Sequence, residues 1–185
     1  MPNLHAATDQ ITAWDSAAVS EFITGDKDIL VLDRQPLKNL GPAIAASRIH
    51  EYRAPVNRDN VGFEIRAGLS ELRLKTPALA ADLIDVVNSF LDQFNLQEAN
   101  LRIETTQSQS CPKFHCDNVN VRLVTTYFGS ATEYQYAGDS LTHEAPLAGL
   151  VFLKGHKHPT CGDTVHHRSP DVAEGERRMC AVIDF

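Results

Sequence analysis

Two short stretches of this chain carry the residue types that bind transition metals, and they lie far apart in sequence. The first is Phe114-His115-Cys116-Asp117, followed by Arg122, Tyr127 and Thr132. The second runs Gly162-Asp163-Thr164-Val165-His166-His167-Arg168-Ser169-Pro170, then Gly175 and Arg177-Arg178. A His-X-Asp pair, a distant histidine and a basic residue ten or eleven positions after it have the spacing of a two-histidine, one-carboxylate iron(II) site. Such a triad leaves coordination positions open for substrate and dioxygen. On an extended strand His115 and Asp117 project to the same face, so both can reach one interior metal, while Cys116 between them faces away. His167 is the expected third ligand and His166 the alternative, because neighbours on an extended segment point in opposite directions.

The elements that must position these residues follow from the apolar pattern. Trp14 to Ile23 reads as a short amphipathic helix behind an Asp15-Ser16 cap, ended by Gly25-Asp26. Ile29 to Leu32 reads as a strand, Leu37 to Ile49 as a helix interrupted by Gly41-Pro42, and Phe63 to Ile65 as a strand. The clearest helix spans Pro77 to Phe94, with Leu79, Leu83, Val86, Val87, Phe90, Leu91 and Phe94 on one face and Asp82, Asp85, Ser89 and Asp92 elsewhere. Thr76 and Pro77 mark its start. Beyond it the period changes to two, and Leu101 to Thr105, Val119 to Tyr127, Gly149 to Leu153 and Met179 to Ile183 read as strands. Helices first and short strands later predict an α+β fold, with N-terminal helices buttressing a sheet sandwich or barrel. The expected organisation is a single domain over 1–185, mostly helical over 1–98 and β-rich and metal-binding over 99–185. The loops Arg53 to Gly62 and Tyr134 to Pro146 are candidates for shaping its mouth.

Composition narrows the function classes. With 24 acidic against 17 basic residues the net charge is −7, which disfavours nucleic-acid binding through phosphate neutralisation. No apolar run is long enough to cross a bilayer, and Met1 to His5 has neither a basic region nor an apolar signal core. A cytoplasmic protein with reduced thiols is expected, because four cysteines, three of them at or beside the metal-binding stretches, do not form a disulfide scaffold.

The whole pattern resembles the iron(II)/2-oxoglutarate-dependent dioxygenase superfamily, and within it the prolyl-hydroxylase-like branch. Val172, Gly175 and Arg177 follow His167, and Thr132 follows His115-Cys116-Asp117, at distances similar to those of that branch. The phrases Cys111 to His115, Arg122 to Tyr127 and Val165 to Pro170 resemble, over most of the chain, a bacterial family known as domain-of-unknown-function family 1826. The superfamily resemblance implies a double-stranded β-helix (a cupin-like jelly-roll) core, Fe(II) on His115, Asp117 and His167, and 2-oxoglutarate as co-substrate. It implies hydroxylation or oxidation of a small-molecule or peptide substrate. It also implies a basic residue that holds the 2-oxoglutarate carboxylate: Arg177 by its offset from His167, Arg178 by its place six before the closing Asp184. Adjacent arginines on a strand send one side chain inward and one outward, and only the inward one can meet a carboxylate with two parallel hydrogen bonds. Tyr127 and Thr132 are further candidates for that carboxylate.

Two other readings compete. His156, His158, Cys161, His166 and His167, with Cys111, His115 and Cys116, offer enough thiol and imidazole for a tetrahedral zinc site and a metal-handling role. A non-catalytic small-ligand binding module on the same barrel is the other. Ser-His-Asp hydrolysis finds no support, because the chain has no Gly-X-Ser-X-Gly elbow.

Overall fold

In a computed structural model the described residues are 14–185, so the reading of Met1 to His5 lies outside them. The elements are α1 (Ser16–Thr24), β1 (Ile29–Leu32), α2 (Leu40–Ala45), β2 (His50–Val56), α3 (Val61–Glu71), α4 (Pro77–Gln93), β3 (Ala99–Thr106), β4 (Val121–Phe128), β5 (Glu133–Tyr136), β6 (His143–Glu144), β7 (Leu150–Lys154), β8 (Val165–Arg168) and β9 (Arg178–Asp184). The chain is a mixed α/β protein whose strands pair antiparallel in two sheets, one in the order β1-β7-β4-β9-β3-β2 and one in the order β6-β5-β8. An isolated bridge between His115 and His167 adds a fourth, one-residue member beside β8.

Alternation along the strands separates two cores. One face of the large sheet, with Leu101, Ile103, Leu123, Tyr127, Phe152, Met179 and Ile183, shares an apolar cluster with residues of all four helices. The opposite face contributes Val124, Val151, Leu153 and Val182 to a smaller cluster completed by Ala131, Ala145 and Val165 from the second sheet and its flanks. From β3 onward the chain crosses repeatedly between sheets, and the space enclosed between them is lined by polar residues of the two histidine-bearing stretches, His115, His167, Arg168 and Arg178 among them.

Several local readings hold. Asp15 caps α1 by accepting from the Ala17 and Ala18 amides, and β1 and α4 form where the apolar pattern places them. Three are corrected. Phe63 to Ile65 is not a strand; Val61, Ile65, Gly68 and Leu69 are buried at helical spacing along α3, while Phe63 is 71% exposed. The helix expected over Leu37 to Ile49 shrinks to α2, because Asn39 takes a left-handed φ of 61° directly before it. Pro42 starts that helix rather than breaking it, as a first-turn N–H has no partner to lose. Asp82 lies on the buried face of α4, where the Arg34 guanidinium at 2.9 Å and the Tyr127 hydroxyl neutralise and satisfy it. The two expected mouth loops overlap regular elements: residues 53–56 belong to β2 and 61–62 to α3 in the first, and 134–136 to β5 and 143–144 to β6 in the second. Among the described residues no helix is long and apolar enough to cross a membrane.

Asp28 illustrates how the fold holds the second histidine-bearing stretch, which begins at Gly162. It is buried, and its carboxylate accepts from the Gly162 and Thr164 amides at 3.0 and 2.7 Å and from the Thr164 hydroxyl at 2.7 Å. Burial opposes its charge, but the bonds from Thr164 and Gly162 and the nearby Lys154 outweigh that and hold its pKa below the ordinary value. A carboxyl whose pKa is lower folded than unfolded stabilises above its unfolded pKa of about 3.9 and loses that stabilisation as pH falls through the folded value. The wild type is therefore expected to lose more stability between about pH 5 and 3 than Asp28→Asn, measured as urea midpoints at each pH. Parallel curves for the two proteins would remove Asp28 as the clasp.

Candidate metal centre

His115 and His167, from segments far apart in sequence, are fastened backbone to backbone. The His115 amide donates to the His167 carbonyl at 3.1 Å and the His167 amide to the His115 carbonyl at 3.0 Å, leaving the ring centroids 4.6 Å apart. Asp117 completes the group: its Oδ1 lies 3.5 Å from His115 Nε2 and its Oδ2 3.1 Å from His167 Nε2. One ligand atom from each of the three residues falls within 4.8 Å of the others. Neighbouring ligands on a cation with bonds near 2.1 Å sit about 3 Å apart, so the donor atoms are already close to coordinating separation.

The hydrogen bonds indicate which atoms are available. His115 Nδ1 donates to the Lys113 carbonyl at 2.8 Å, which in the neutral ring leaves a lone pair on Nε2 facing Asp117. Ligating histidines are held in this way by their other nitrogen. Asp117 Oδ2 is buried and has no aligned hydrogen-bond donor, despite the nearness of His167. His115 Nε2 faces Oδ1, which already accepts from Arg122 at 2.6 Å, whereas Oδ2, opposite His167 Nε2, has no such donor; a cation held between the rings and Oδ2 would satisfy that buried oxygen. Two imidazoles and one carboxylate suit iron(II), so the residues present fit the group that the resemblance implies.

Burial opposes charge on Asp117, yet His167 and the Arg122 guanidinium, which donates to Oδ1 at 2.6 Å, keep its pKa below the ordinary value. Arg122 also donates to Asp184 at 2.6 and 3.0 Å, tying Asp117 to the last strand. Burial pushes the pKa of His167 below the ordinary imidazole value, although Asp117 pulls the other way.

A cavity of about 160 Å³ is lined by His115 and His167, with Arg178, Thr132, Glu104, Arg102, Arg122 and Cys180 among its other lining residues. Arg178 is 3% exposed. Its Nη2 donates to Thr126 and Thr132 at 3.1 and 3.3 Å, its Nη1 approaches Glu104 at 3.4 Å, and its Nε donates to the Ser130 carbonyl at 3.0 Å. Gly129 makes this placement possible: at φ 81°, a Cβ there would meet the Arg177 carbonyl oxygen at 2.4 Å.

The other candidates lie elsewhere. Arg177 turns outward to the end of α2, donating to Ile44 O at 3.3 Å and Ser47 Oγ at 3.1 Å. Tyr127 points from the opposite face of β4 into the helix layer, where its hydroxyl donates to Asp82; alternation along β4 therefore takes it out of the cavity it was expected to serve. His166 faces Asp163 at 3.1 Å, away from the three-residue group. His115 and Asp117 do not sit on a continuous strand as expected, since only His115 makes a bridge. Arg102 and Glu104 went unnoticed in the sequence. Their signal is the alternation Leu101-Arg102-Ile103-Glu104, which sends both polar residues to the face opposite the core.

A family model described as "Protein of unknown function (DUF1826)" matches residues 17–184. The chain belongs to this family. Among curated proteins none matches it. Solved structures to which the chain is similar include a Pseudomonas putida prolyl-4-hydroxylase (10% identity, TM-score 0.46, covering 92% of this chain and 97% of that one). Another is the viral collagen prolyl hydroxylase vCPH from Paramecium Bursaria Chlorella virus-1 in its 2OG complex (11%, 0.40, 72% and 94%). A third is JOX2 in complex with 2OG, Fe and JA (10%, 0.46, covering 72% of this chain and 48% of that one), so this chain spans about half the length of that protein.

Proposed function

We propose that this DUF1826 protein is an iron(II)- and 2-oxoglutarate-dependent oxygenase on a double-stranded β-helix, with His115, Asp117 and His167 holding the metal. The observation that carries the reading is the gathering of two imidazoles about one carboxylate whose buried Oδ2, opposite His167, lacks an aligned donor. The alternation of the chain between two antiparallel sheets supports the fold assignment. Fe(II) with 2-oxoglutarate, when bound, supplies the oxidising chemistry. The protein's own part is orientation and exclusion of water. The reciprocal bridge at His115 and His167 fixes both rings, and Arg122 keeps Asp117 charged and directed. Arg178, with the Thr132 hydroxyl, offers the cation and hydrogen-bonding partner for the far carboxylate of 2-oxoglutarate. The test is metal analysis of anaerobically purified protein together with turnover of 2-oxoglutarate in the absence of substrate. Iron and turnover, both lost in His115→Ala, are expected; a protein that takes up no iron and turns over no 2-oxoglutarate overturns the reading.

Glu104 places a carboxylate against Arg178 in the same cavity and therefore opposes an incoming anion. Glu104→Gln keeps an acceptor for Arg178 and drops the charge. It is expected to lower the KM for 2-oxoglutarate by roughly tenfold. A KM that rises instead would mean that Glu104 chiefly orients Arg178.

A further inference from the structure

Cys116 stands between two proposed iron ligands but turns to the other side of the segment. There its Sγ lies 3.5 Å from the Lys154 carbonyl oxygen, and the Cys161 Sγ approaches the same oxygen at 4.0 Å. His156 joins them: one ligand atom each from Cys116, His156 and Cys161 lies within 4.8 Å of the others. All four cysteines of the chain are free thiols. The loop that carries His156 and Cys161 is fastened against the segment that carries Cys116. Gly155 N donates to Asn120 O at 2.9 Å, His156 N to Asp117 O at 2.8 Å and Lys157 N to Val119 O at 3.1 Å. A Cβ on Gly155 would stand 2.3 Å from Val119 O and 2.6 Å from Asp117 O, so the approach is one that only glycine permits. At the far end, Cys161 N donates to His158 O at 3.1 Å and Gly162 N to Asp28 at 3.0 Å. Three soft or borderline donors are thus held together by backbone bonds on both sides of the loop.

We propose that Cys116, His156 and Cys161 form a second metal site, distinct from the His115, Asp117 and His167 centre, that takes a thiolate-preferring divalent cation of the zinc type. Two thiols and one imidazole provide three of the four donors of a tetrahedral site, with a water as the fourth. Sulfur donors select such a cation over iron(II), so the chain sorts two metals by donor chemistry: nitrogen and oxygen at one site, sulfur and nitrogen at the other. Binding releases the two thiol protons to solvent, and the dication then balances two thiolates. His156 is exposed, which gives the cation a route in. Because the His156 amide holds the Asp117 carbonyl, occupancy of this site stiffens the backbone that presents the iron-binding carboxylate.

Cobalt(II) is the probe, titrated anaerobically with a non-thiol reductant into wild type, His167→Ala, Cys161→Ser and His156→Ala. Thiolate-to-cobalt charge-transfer absorption is expected at full intensity in wild type and in His167→Ala, with zinc displacing it in both. It is expected to be absent in Cys161→Ser. In His156→Ala, whose exposed ring can be removed without touching the core, cobalt binding is expected to weaken by about a hundredfold or more, the upper end of what loss of a merely supporting residue costs. No charge-transfer band in wild type overturns the site. So does a band unchanged in both Cys161→Ser and His156→Ala. Loss of the band in His167→Ala would show that the sulfur donors serve the first centre instead. A mass decrease of two hydrogens with no cobalt uptake would assign Cys116 and Cys161 to a disulfide, which also overturns it. Absence of 2-oxoglutarate turnover with the band intact would count against the oxygenase reading alone.

Discussion

Asp117→Ala is expected to weaken iron binding by at least about a hundredfold and to take 2-oxoglutarate turnover below detection, because it deletes the one carboxylate that faces both imidazoles. The change also removes the bond that Arg122 donates to Asp117 Oδ1 at 2.6 Å, although Arg122 keeps its two bonds to Asp184, so the metal-free midpoint of the variant is expected to fall somewhat as well. A ligand that binds only the folded state stabilises it by about 2.7 kcal/mol at a hundred times its Kd. Added Fe(II) or Co(II) should therefore raise the thermal midpoint of the wild type much more than that of Asp117→Ala, each measured against its own metal-free midpoint. To keep this readout on the first centre, the comparison is made in a Cys161→Ser background. An equal metal-induced rise in both proteins would show that Asp117 is not a ligand.

The largest stability effect is expected at a site with no part in the chemistry. Arg34, Asp82 and Tyr127 form a network at 5%, 9% and 2% exposure, with Arg34 also donating to the Ala148 carbonyl at 2.8 Å. Burial and the adjacent Asp82 push the Tyr127 pKa well above its ordinary value, so the hydroxyl stays a donor and Asp82 its acceptor. Asp82→Ala leaves a buried guanidinium without its counter-charge, at a cost of about 3–5 kcal/mol. In a chain of this size that lowers the thermal midpoint by roughly 10 °C. Tyr127→Phe removes only one hydrogen bond and should cost about 1–2 kcal/mol. Calorimetry of both variants decides the matter: if Asp82→Ala is no worse than Tyr127→Phe, the ion pair is not what anchors α4 to the sheet.

What was legible in the sequence is what local chemistry and period determine. The residues of the candidate metal centre could be nominated because imidazole and carboxylate are ligand types, and the order His-X-Asp, His, Arg is visible without coordinates. The apolar spacing of α4 and the alternation of β3, β4, β7 and β9 are local properties of the chain, and they produced those elements where expected. Short patterns failed where neighbouring signals competed: three alternating residues at Phe63 to Ile65 were outweighed by the longer helical spacing that surrounds them. The choices between adjacent residues belonged to tertiary structure. His167 rather than His166, and Arg178 rather than Arg177, face the enclosed space because pairing with His115 and with β3 and β4 sets which side of each strand looks inward. A shift of one residue in register would exchange each pair. The sorting of five of the eight candidate thiol and imidazole ligands into two separate groups, His115 and His167 with Asp117 in one and Cys116, His156 and Cys161 in the other, likewise arises only when the loop after β7 folds against the segment after His115, since sequence proximity carries no information on which side of a backbone two distant side chains will meet.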